Sequence, residues 1–400
     1  MNDFDQQLAA RLKDRETQGL YRYRKVLESP QDSYITLGDR KYLSFCSNDY
    51  LGLANHPDVV QAFKNGLELY GAGSGASHLI TGHSAAHHTL EEELAEFTGR
   101  SRALLFSSGY MANVGVISSL LGKSDRIFED KLNHASLLDG GLFSGAKFQR
   151  YPHLDSARLE NSLEKYKASA GRKLIVSDGV FSMDGDVAPL PALVEIAERN
   201  QAQLMIDDAH GFGCLGKQGG GLVEACQERG VEINQNNLPI LVGTLGKAFG
   251  TAGAFVAGSE ELIETLIQFC RPYIYTTAMA PAVAFATSCS LKILRKENWR
   301  REHLNAMILS FRERCKALGF SMTDSSTPIQ TIIFGDVGAT LKASRILEEL
   351  GLIVSAIRPP TVPEGSARLR FTFSASHTEE QFQTLLNALE KIVPIANSEI

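Results

Sequence analysis

A lysine is costly to desolvate, so one held among small residues at the end of an apolar run is a first place to look for chemistry. Lys247 sits in GTLGKAFG (residues 243–250), directly after the apolar run Ile240 to Val242. Its ordinary use is as a solvated loop cation. Half-buried, it acquires a lowered pKa and becomes an amine nucleophile able to form a Schiff base with a carbonyl. Asp207 ends another apolar run, Leu204 to Ile206, and would put a carboxylate at the same edge. That carboxylate could simply cap a helix, or it could keep a pyridine nitrogen protonated, which turns pyridoxal 5'-phosphate (PLP) into an electron sink. His210 is placed to donate to the ring's phenolic oxygen and His134 to stack on the ring face, although each histidine taken singly has an ordinary structural use. Ser108, Gly109 and Tyr110 stand where a strand gives way to a helix, with free N–H groups and a positive dipole end suited to a phosphate. Thr244 and Ser182 add hydroxyls to the same rim. Four separate strand ends thus supply an amine, a carboxylate, imidazoles and an anion site, which together point to a PLP enzyme.

Other motifs carry less. GAGSGAS (residues 71–77) follows a helix rather than a strand, and its glycines miss the G-x-G-x-x-G spacing, which argues against a nicotinamide oxidoreductase. GTLGK lacks the four-residue gap of a P-loop, and Ala248 stands where a magnesium-binding hydroxyl belongs. His83, His87 and Glu91 would share one helical face, but there is no H-E-x-x-H, so they are taken as surface or pocket-wall residues and no metal is expected. No serine lies in a G-x-S-x-G context. A non-catalytic protein retaining the fold is the other rival, and it would have no need of Lys247.

The elements that position these residues follow from hydrophobic periodicity. Short apolar runs at Ala103–Phe106, Ile127–Phe128, Leu174–Val176, Leu204–Ile206 and Ile240–Val242 alternate with helix-length segments such as Tyr110–Leu121 and Leu190–Asn200. That is the rhythm of an α/β fold with a mostly parallel sheet covered by helices. Only eleven residues join Val242 to the next run, Ala254–Ala257, too few for a helical crossover, so this strand should be antiparallel. Asn55-His56-Pro57 opens a helix whose buried stripe should be Val60, Phe63 and Leu67, and Gly71 ends it. Strands near Thr331–Phe334 and Leu369–Phe373, with helices from about Leu341 and Thr378, predict a smaller C-terminal α+β domain. The expected division is an N-terminal arm and helix over 1–55, a large domain over 56–290 and a small domain over 291–400.

Composition sets limits on partners. With 40 Lys and Arg against 46 Asp and Glu, the chain of 400 residues carries a net charge of −6 and has no dense basic stretch, so nucleic acid is not an expected ligand. The six cysteines are dispersed, with no C-x-x-C pair, and are expected as reduced thiols. The first twenty residues are polar, with Phe4, Leu8 and Leu12 on one helical face, and fit neither a signal nor a transit peptide. No apolar run approaches the ~20 residues needed to cross a bilayer. A cytoplasmic protein without membrane contact is expected.

The segments SNDYLGL (47–53), LNHASLLDG, GVFSMDGD, IDDAHGFG, GTLGKAFG and IRPPTVPEG (357–365) resemble, in order and over nearly the whole chain, the α-oxoamine synthases. These are fold-type-I PLP enzymes that condense an amino acid with an acyl thioester and release carbon dioxide. IRPPTVPEG followed by ARLRFTFSASHT is most similar to the branch that joins L-alanine to a pimeloyl thioester in biotin biosynthesis, with coenzyme A or an acyl carrier protein as carrier. A glycine-using relative such as glycine C-acetyltransferase is the alternative. The resemblance implies Lys247 as the Schiff-base lysine, Asp207 on the pyridine nitrogen, His210 on the phenolic oxygen and His134 on the ring. Gly109, Tyr110, Ser182 and Thr244 would surround the cofactor. Arg22, Asn48, His134 and Thr361 match substrate contacts, Arg370 matches the arginine that holds the amino-acid carboxylate, and Arg358 would share it. A homodimer with the active site at the subunit interface is also implied, and Thr276 and Thr277 would then reach the phosphate of the partner subunit. Two departures, His83 in place of an aromatic ring and Phe212 in place of a small residue, are expected to border the acyl or cofactor pocket.

Overall fold

Runs of apolar residues buried on both faces make the spine of the molecule, as a parallel sheet requires. The computed structural model describes residues 2–18 and 20–396. A helix over Asp3–Thr17 leads into the hairpin of β1 (Tyr34–Leu37) and β2 (Arg40–Ser44). Seven strands then form the central sheet: β3 (Arg102–Phe106), β4 (Arg126–Asp130), β5 (Lys147–Tyr151), β6 (Lys173–Asp178), β7 (Gln203–Asp207), β8 (Ile240–Thr244) and β9 (Ala254–Gly258). Their order is β3-β9-β8-β7-β6-β4-β5. The run from β8 to β5 is parallel, while β9 is antiparallel to both β3 and β8, as its short connection demands.

β5 has no counterpart in the expected pattern. It lies at the sheet edge, where KFQRY can carry exposed Lys147 and Arg150 in place of a continuous apolar run, and such charges protect an edge from further pairing.

The stripe expected on the helix Pro57–Tyr70 is corrected. Val60, Phe63 and Leu67 are exposed, and the buried positions are Val59 and Gly66. Gly66 lets this helix lie directly on the helix Pro281–Lys296: a Cβ there would come within 2.8 Å of the Ala282 Cα. The close approach selects the face carrying the smallest residue and turns the bulky one outward.

Beyond residue 300, β10 (Ile329–Gly335), β11 (Leu352–Ile353), β12 (Ser355–Ile357) and β13 (Ala367–Thr372) complete the fold. β13 pairs antiparallel with β10 and β12, and helices over Val337–Glu349 and Glu379–Leu389 accompany them. β11 pairs in parallel with β2 of the N-terminal arm, Leu352 opposite Leu43, so the arm is joined to the C-terminal layers. The segment after β2 is pinned from two sides. The buried Asp49 carboxylate accepts from Leu53 N (2.8 Å) and Ala54 N (3.1 Å), and Arg300 Nη1 donates to Leu51 O (2.8 Å). Phe212 packs in the core against Phe97 and Phe255, with ring centroids 6.1 and 5.3 Å away. The expectation that it borders a substrate pocket is therefore corrected: its position in the chain follows the crevice motif, but its side chain fills the space between helix and sheet. No helix among the described residues is long and apolar enough to cross a membrane.

Two predictions follow from this packing. Gly66→Val should destabilise the chain by about 1–3 kcal/mol, as overpacking does, seen as a lower Tm with the circular dichroism spectrum retained. His153 bridges Asp130 (2.9 Å) and Asp186 (2.6 Å). Burial alone would lower its pKa, but hydrogen bonds and charge from these two carboxylates raise it to about 9. A raised folded-state pKa gives stability that is complete below the free-imidazole value near 6.5 and is lost as pH climbs to 9. The Tm difference between wild type and His153→Gln should therefore shrink across that interval.

Candidate active site

Parallel strands in register carry the site at their carboxyl ends, where open α/β sheets place ligands. Asp178, last in β6, lies opposite Asp207, last in β7, and β8 continues into the lysine loop through Thr244. The loop folds back on itself, with Leu245 N donating to Gly253 O (2.9 Å) and Gly250 N to Lys247 O (2.8 Å). This turns the Lys247 amine inward to 2.9 Å from His210 Nε2. Burial lowers the lysine pKa to about 8, against the upward pull of the Asp207 and Asp178 charges. The Asp178 carboxyl is pushed well above the usual range by burial and by its neighbour Asp207.

Two lines of hydrogen bonds organise the crevice. On one side, Asn113 Nδ2 donates to Asp207 Oδ2 (2.6 Å) and to Ser136 Oγ (2.9 Å), and the Ser136 hydroxyl lies 2.7 Å from His134 Nδ1. Asp207 Oδ1 accepts from Ala209 N at 3.1 Å. His134 caps the helix Ala135–Phe143, and its own N–H donates to Asp178 Oδ2 (2.6 Å). Its ring is reached by solvent, yet the protein around it lowers its pKa while Asp207 opposes that shift.

On the other side, His210 Nδ1 lies 2.7 Å from Tyr50 Oη, and Tyr50 Oη donates to Asn48 Oδ1 (3.2 Å). Asn48 Oδ1 also receives Arg370 Nη2 at 3.4 Å, while Arg370 Nε donates to Ser182 O at 2.6 Å. Burial and the Lys247 charge hold His210 well below the ordinary imidazole value, so it is neutral. With the lysine protonated, one set of proton positions serves the whole line: Lys247 donates to His210 Nε2, His210 Nδ1–H to Tyr50, and Tyr50 to Asn48.

The phosphate end lies at the helix Gly109–Leu120. Ser108 caps it through Oγ, which accepts from Met111 N (3.2 Å). Among the described residues the N–H groups of Gly109 and Tyr110 find no acceptor, and a Cβ built on Gly109 would meet nothing within 4 Å. The donor set fits PLP: open space before two free N–H groups for the phosphate, a desolvated amine for the aldehyde, and Asp207, whose hydrogen-bond partners are an amide and a backbone N–H, for a cationic ring nitrogen.

Not every expected residue joins this group. Tyr110 is exposed, with its hydroxyl on Asp139 (2.5 Å). Arg358 donates to Tyr21 O (3.4 Å) and Thr361 N to Arg358 O (3.1 Å), which gathers Arg22, Arg358 and Thr361 at a rim near the N-terminal arm. Arg358 and Pro359 line a cavity of about 870 Å³ there, with Leu20 and Glu364. Thr276 and Thr277 lie in the turn after the helix Arg271–Ile274, at the surface of this chain. The shared helical face expected for His83, His87 and Glu91 is corrected, because His83 precedes the helix Ala85–Thr98. Four contributors were missed: Tyr50, Asn113, Ser136 and Asp178. Asn113 left a signal, as a buried amide in the otherwise apolar run MANVGV; Tyr50 left only its place in SNDYLGL.

Comparison with known proteins follows from this geometry. The profile of the aminotransferase class I and II family matches residues 40–389. An 8-amino-7-oxononanoate synthase of Pseudomonas putida (strain GB-1) is 59% identical over 387 residues, 97% of each chain. The solved structure of SPT with PLP internal aldimine superposes with a TM-score of 0.91 at 30% identity, covering 100% of both chains. The crystal structure of 8-amino-7-oxononanoate synthase from Francisella tularensis has a TM-score of 0.76 and 36% identity, over 88% of this chain and 97% of that one.

Mixed with PLP and then reduced with borohydride, the chain should be labelled at Lys247, as read by peptide mass mapping. Lys247→Ala should fold and give no such label; a label at the same stoichiometry on another lysine would reject the assignment.

Proposed function

This chain belongs to the aminotransferase class I and II family, and we propose that, as an α-oxoamine synthase, it joins L-alanine to a pimeloyl thioester with loss of carbon dioxide, making 8-amino-7-oxononanoate for biotin biosynthesis. It is a PLP-dependent C-acyltransferase. The observation that supports chemistry on an amino acid is the pairing of a desolvated lysine and a buried carboxylate at adjacent strand ends with an arginine from β13 tied into the same crevice, and the 59% identity to an 8-amino-7-oxononanoate synthase supports the choice of substrates.

Lys247, Asp207, His134, His210, Gly109, Tyr110, Ser182 and Thr244 would hold the cofactor, joined by Thr276 and Thr277 of the partner subunit in a homodimer. When bound, PLP stabilises negative charge at the amino-acid Cα and so makes that carbon a nucleophile. Arg370 receives the alanine carboxylate in a bidentate pair, its orientation fixed by Ser182 O and Asn48. Lys247 Nζ takes the Cα proton; with a pKa near 8 it is poised to accept and return a proton near neutrality. Asp207 keeps a positive charge at the ring nitrogen, and Asn113 holds its carboxylate in place. Bond formation from Cα to the thioester carbonyl would expel the thiol, and loss of carbon dioxide from the resulting β-keto acid would be balanced by a proton returned to Cα from Lys247 Nζ. Arg22 and Thr361 would contact substrate at the rim near the arm, and Arg358, which lines the cavity there, is held by Tyr21 O away from the share of the carboxylate expected of it.

The homodimer is supported by the apolar surface left open on a single chain: Val60, Phe63, Leu67, Leu79, Ile80 and Tyr275 are all exposed. A cytoplasmic location is consistent with the dispersed free thiols.

Purified protein supplied with L-alanine and a pimeloyl thioester should yield the amino ketone, detected by mass. A panel with glycine and short acyl thioesters is expected to react far more slowly, and preference for glycine would favour the sister enzyme. Asp207→Ala should lower turnover by at least ~10²-fold while losing much less cofactor. Deuterium exchange at the alanine Cα at the wild-type rate in that variant would count against the role given to Asp207.

A further inference from the structure

Three imidazoles meet at the turn that precedes the helix Ala85–Thr98. A π-helical turn spans His78–Gly82, and Gly82 is what permits it, since a Cβ there would lie 2.2 Å from Ala76 O. The i→i+5 closure of a π-turn brings His78 and His83 together with ring planes tilted by 53° and their Nδ1 atoms 3.1 Å apart. Ser84 then caps the helix Ala85–Thr98, and His87 at its third position lies beneath the pair. One ring nitrogen from each of His78, His83 and His87 lies within 4.8 Å of the other two.

The protons are distributed as a metal site would need. His87 Nε2 is 2.8 Å from Met279 O, an acceptor only, so Nε2 carries the proton and Nδ1 presents a lone pair, now receiving Ser84 N at 3.0 Å. A histidine whose outer N–H is fixed on a backbone carbonyl is the usual arrangement behind a metal ligand. His78 and His83 point the same nitrogen at each other, and that pair can share only one proton. Burial lowers the pKa of all three, so they are neutral donors at pH 7. The charged or titratable groups facing them are Glu91, with Oε2 3.8 Å from His83 Nε2, and the exposed His88. Tetrahedral zinc, with Zn–N bonds of about 2.0–2.1 Å, spaces its nitrogens about 3.3–3.4 Å apart, close to the His78–His83 separation. His78 is fixed by stacking on Tyr273 (centroids 4.9 Å apart), while the half-exposed His83 leaves an entry path.

We propose that His78, His83 and His87 bind one divalent transition-metal ion of the zinc type, which clips the π-turn to the following helix and, through His87 and Met279, to the chain near residue 279. Coordination displaces the hydrogen bonds that Ser84 N (3.0 Å) and Ser84 Oγ (2.9 Å) make to His87 Nδ1 and the one shared by His78 and His83, and the fourth position lies beside His83. The site does not involve Lys247 and does not depend on the reaction assigned above.

The test uses tag-free, PLP-loaded protein stripped with a chelator and titrated with Co2+ by visible absorbance and with Zn2+ by calorimetry. One equivalent per chain is expected, with the bands of tetrahedral Co2+ and a Tm that rises on adding stoichiometric Zn2+. His83→Phe and His78→Asn should each weaken binding by more than ~100-fold and abolish the Tm shift. His83 lies in a half-exposed turn, so His83→Phe decides the matter should His78→Asn fail to fold. No saturable binding in wild type, unchanged binding in His83→Phe, or loss in His88→Ala with retention in His78→Asn would each overturn the proposal.

Discussion

Two carboxylates at the ends of neighbouring parallel strands, a strand spacing of about 4.8 Å apart, cannot both remain ionised in a desolvated crevice unless a cation stands near them. Asp178 and Asp207 are that pair, and the register of β6 on β7 leaves them no choice of distance. Asp178 yields, its carboxyl pushed well above the ordinary range, and its Oδ2 receives the backbone N–H of His134. Asp207 keeps its place with an amide and a backbone N–H as partners and retains a demand for positive charge. The Lys247 amine meets part of that demand. Burial would strip its proton and the two acids would keep it, and the balance near 8 comes from that opposition.

The two hydrogen-bond lines give this balance direction. Asn113 and Ser136 connect Asp207 to His134, so the carboxylate and the imidazole expected on the ring are fixed by the same helix pair. Tyr50 and Asn48 connect His210 to Arg370, so the groups expected at the lysine and at the substrate carboxylate share a donor sequence that runs from one end of the crevice to the other. The second line draws on three distant stretches of chain: the segment after β2, the loop after β7, and β13. Asp49 and Arg300 matter here because Asp49 closes the first of these on itself and Arg300 anchors it to the helix Trp299–Ala317.

The crevice itself was legible in the sequence to the extent that it is built from strand ends. Asp207 directly follows an apolar run, and Gly109, His210 and Lys247 lie in the short loops after such runs, so period and run length suffice to find these positions. Tyr50, Asn113 and Ser136 escaped because their contribution is a contact made across the fold: an asparagine five positions past a helix cap gives no sign of which carboxylate it will meet. The helix Pro57–Tyr70 failed for a related reason. A hydrophobic stripe normally marks the buried face, but a glycine that admits another helix overrides it, and the apolar residues are then free for a different surface.

The doubled aspartate in IDDAHG shows where strand geometry resolves what residue type leaves ambiguous. Successive side chains leave a strand on opposite sides, so only one of Asp207 and Asp208 can face Asn113 and the lysine. Asp208 turns the other way and is fully buried, with Oδ2 accepting Leu222 N at 2.6 Å and burial raising its pKa to about 8. A Cβ on Gly179, Gly211 or Gly221 would come within 2.5, 2.0 and 2.1 Å of its carboxyl oxygens. The backbone thus closes round Asp208 from three loops, and its O accepts both Gly211 N and Phe212 N at 3.0 Å, which shapes the turn that presents His210. The enclosed acid thus fixes the loop, and its neighbour Asp207 is the one whose carboxylate faces Asn113 and the crevice.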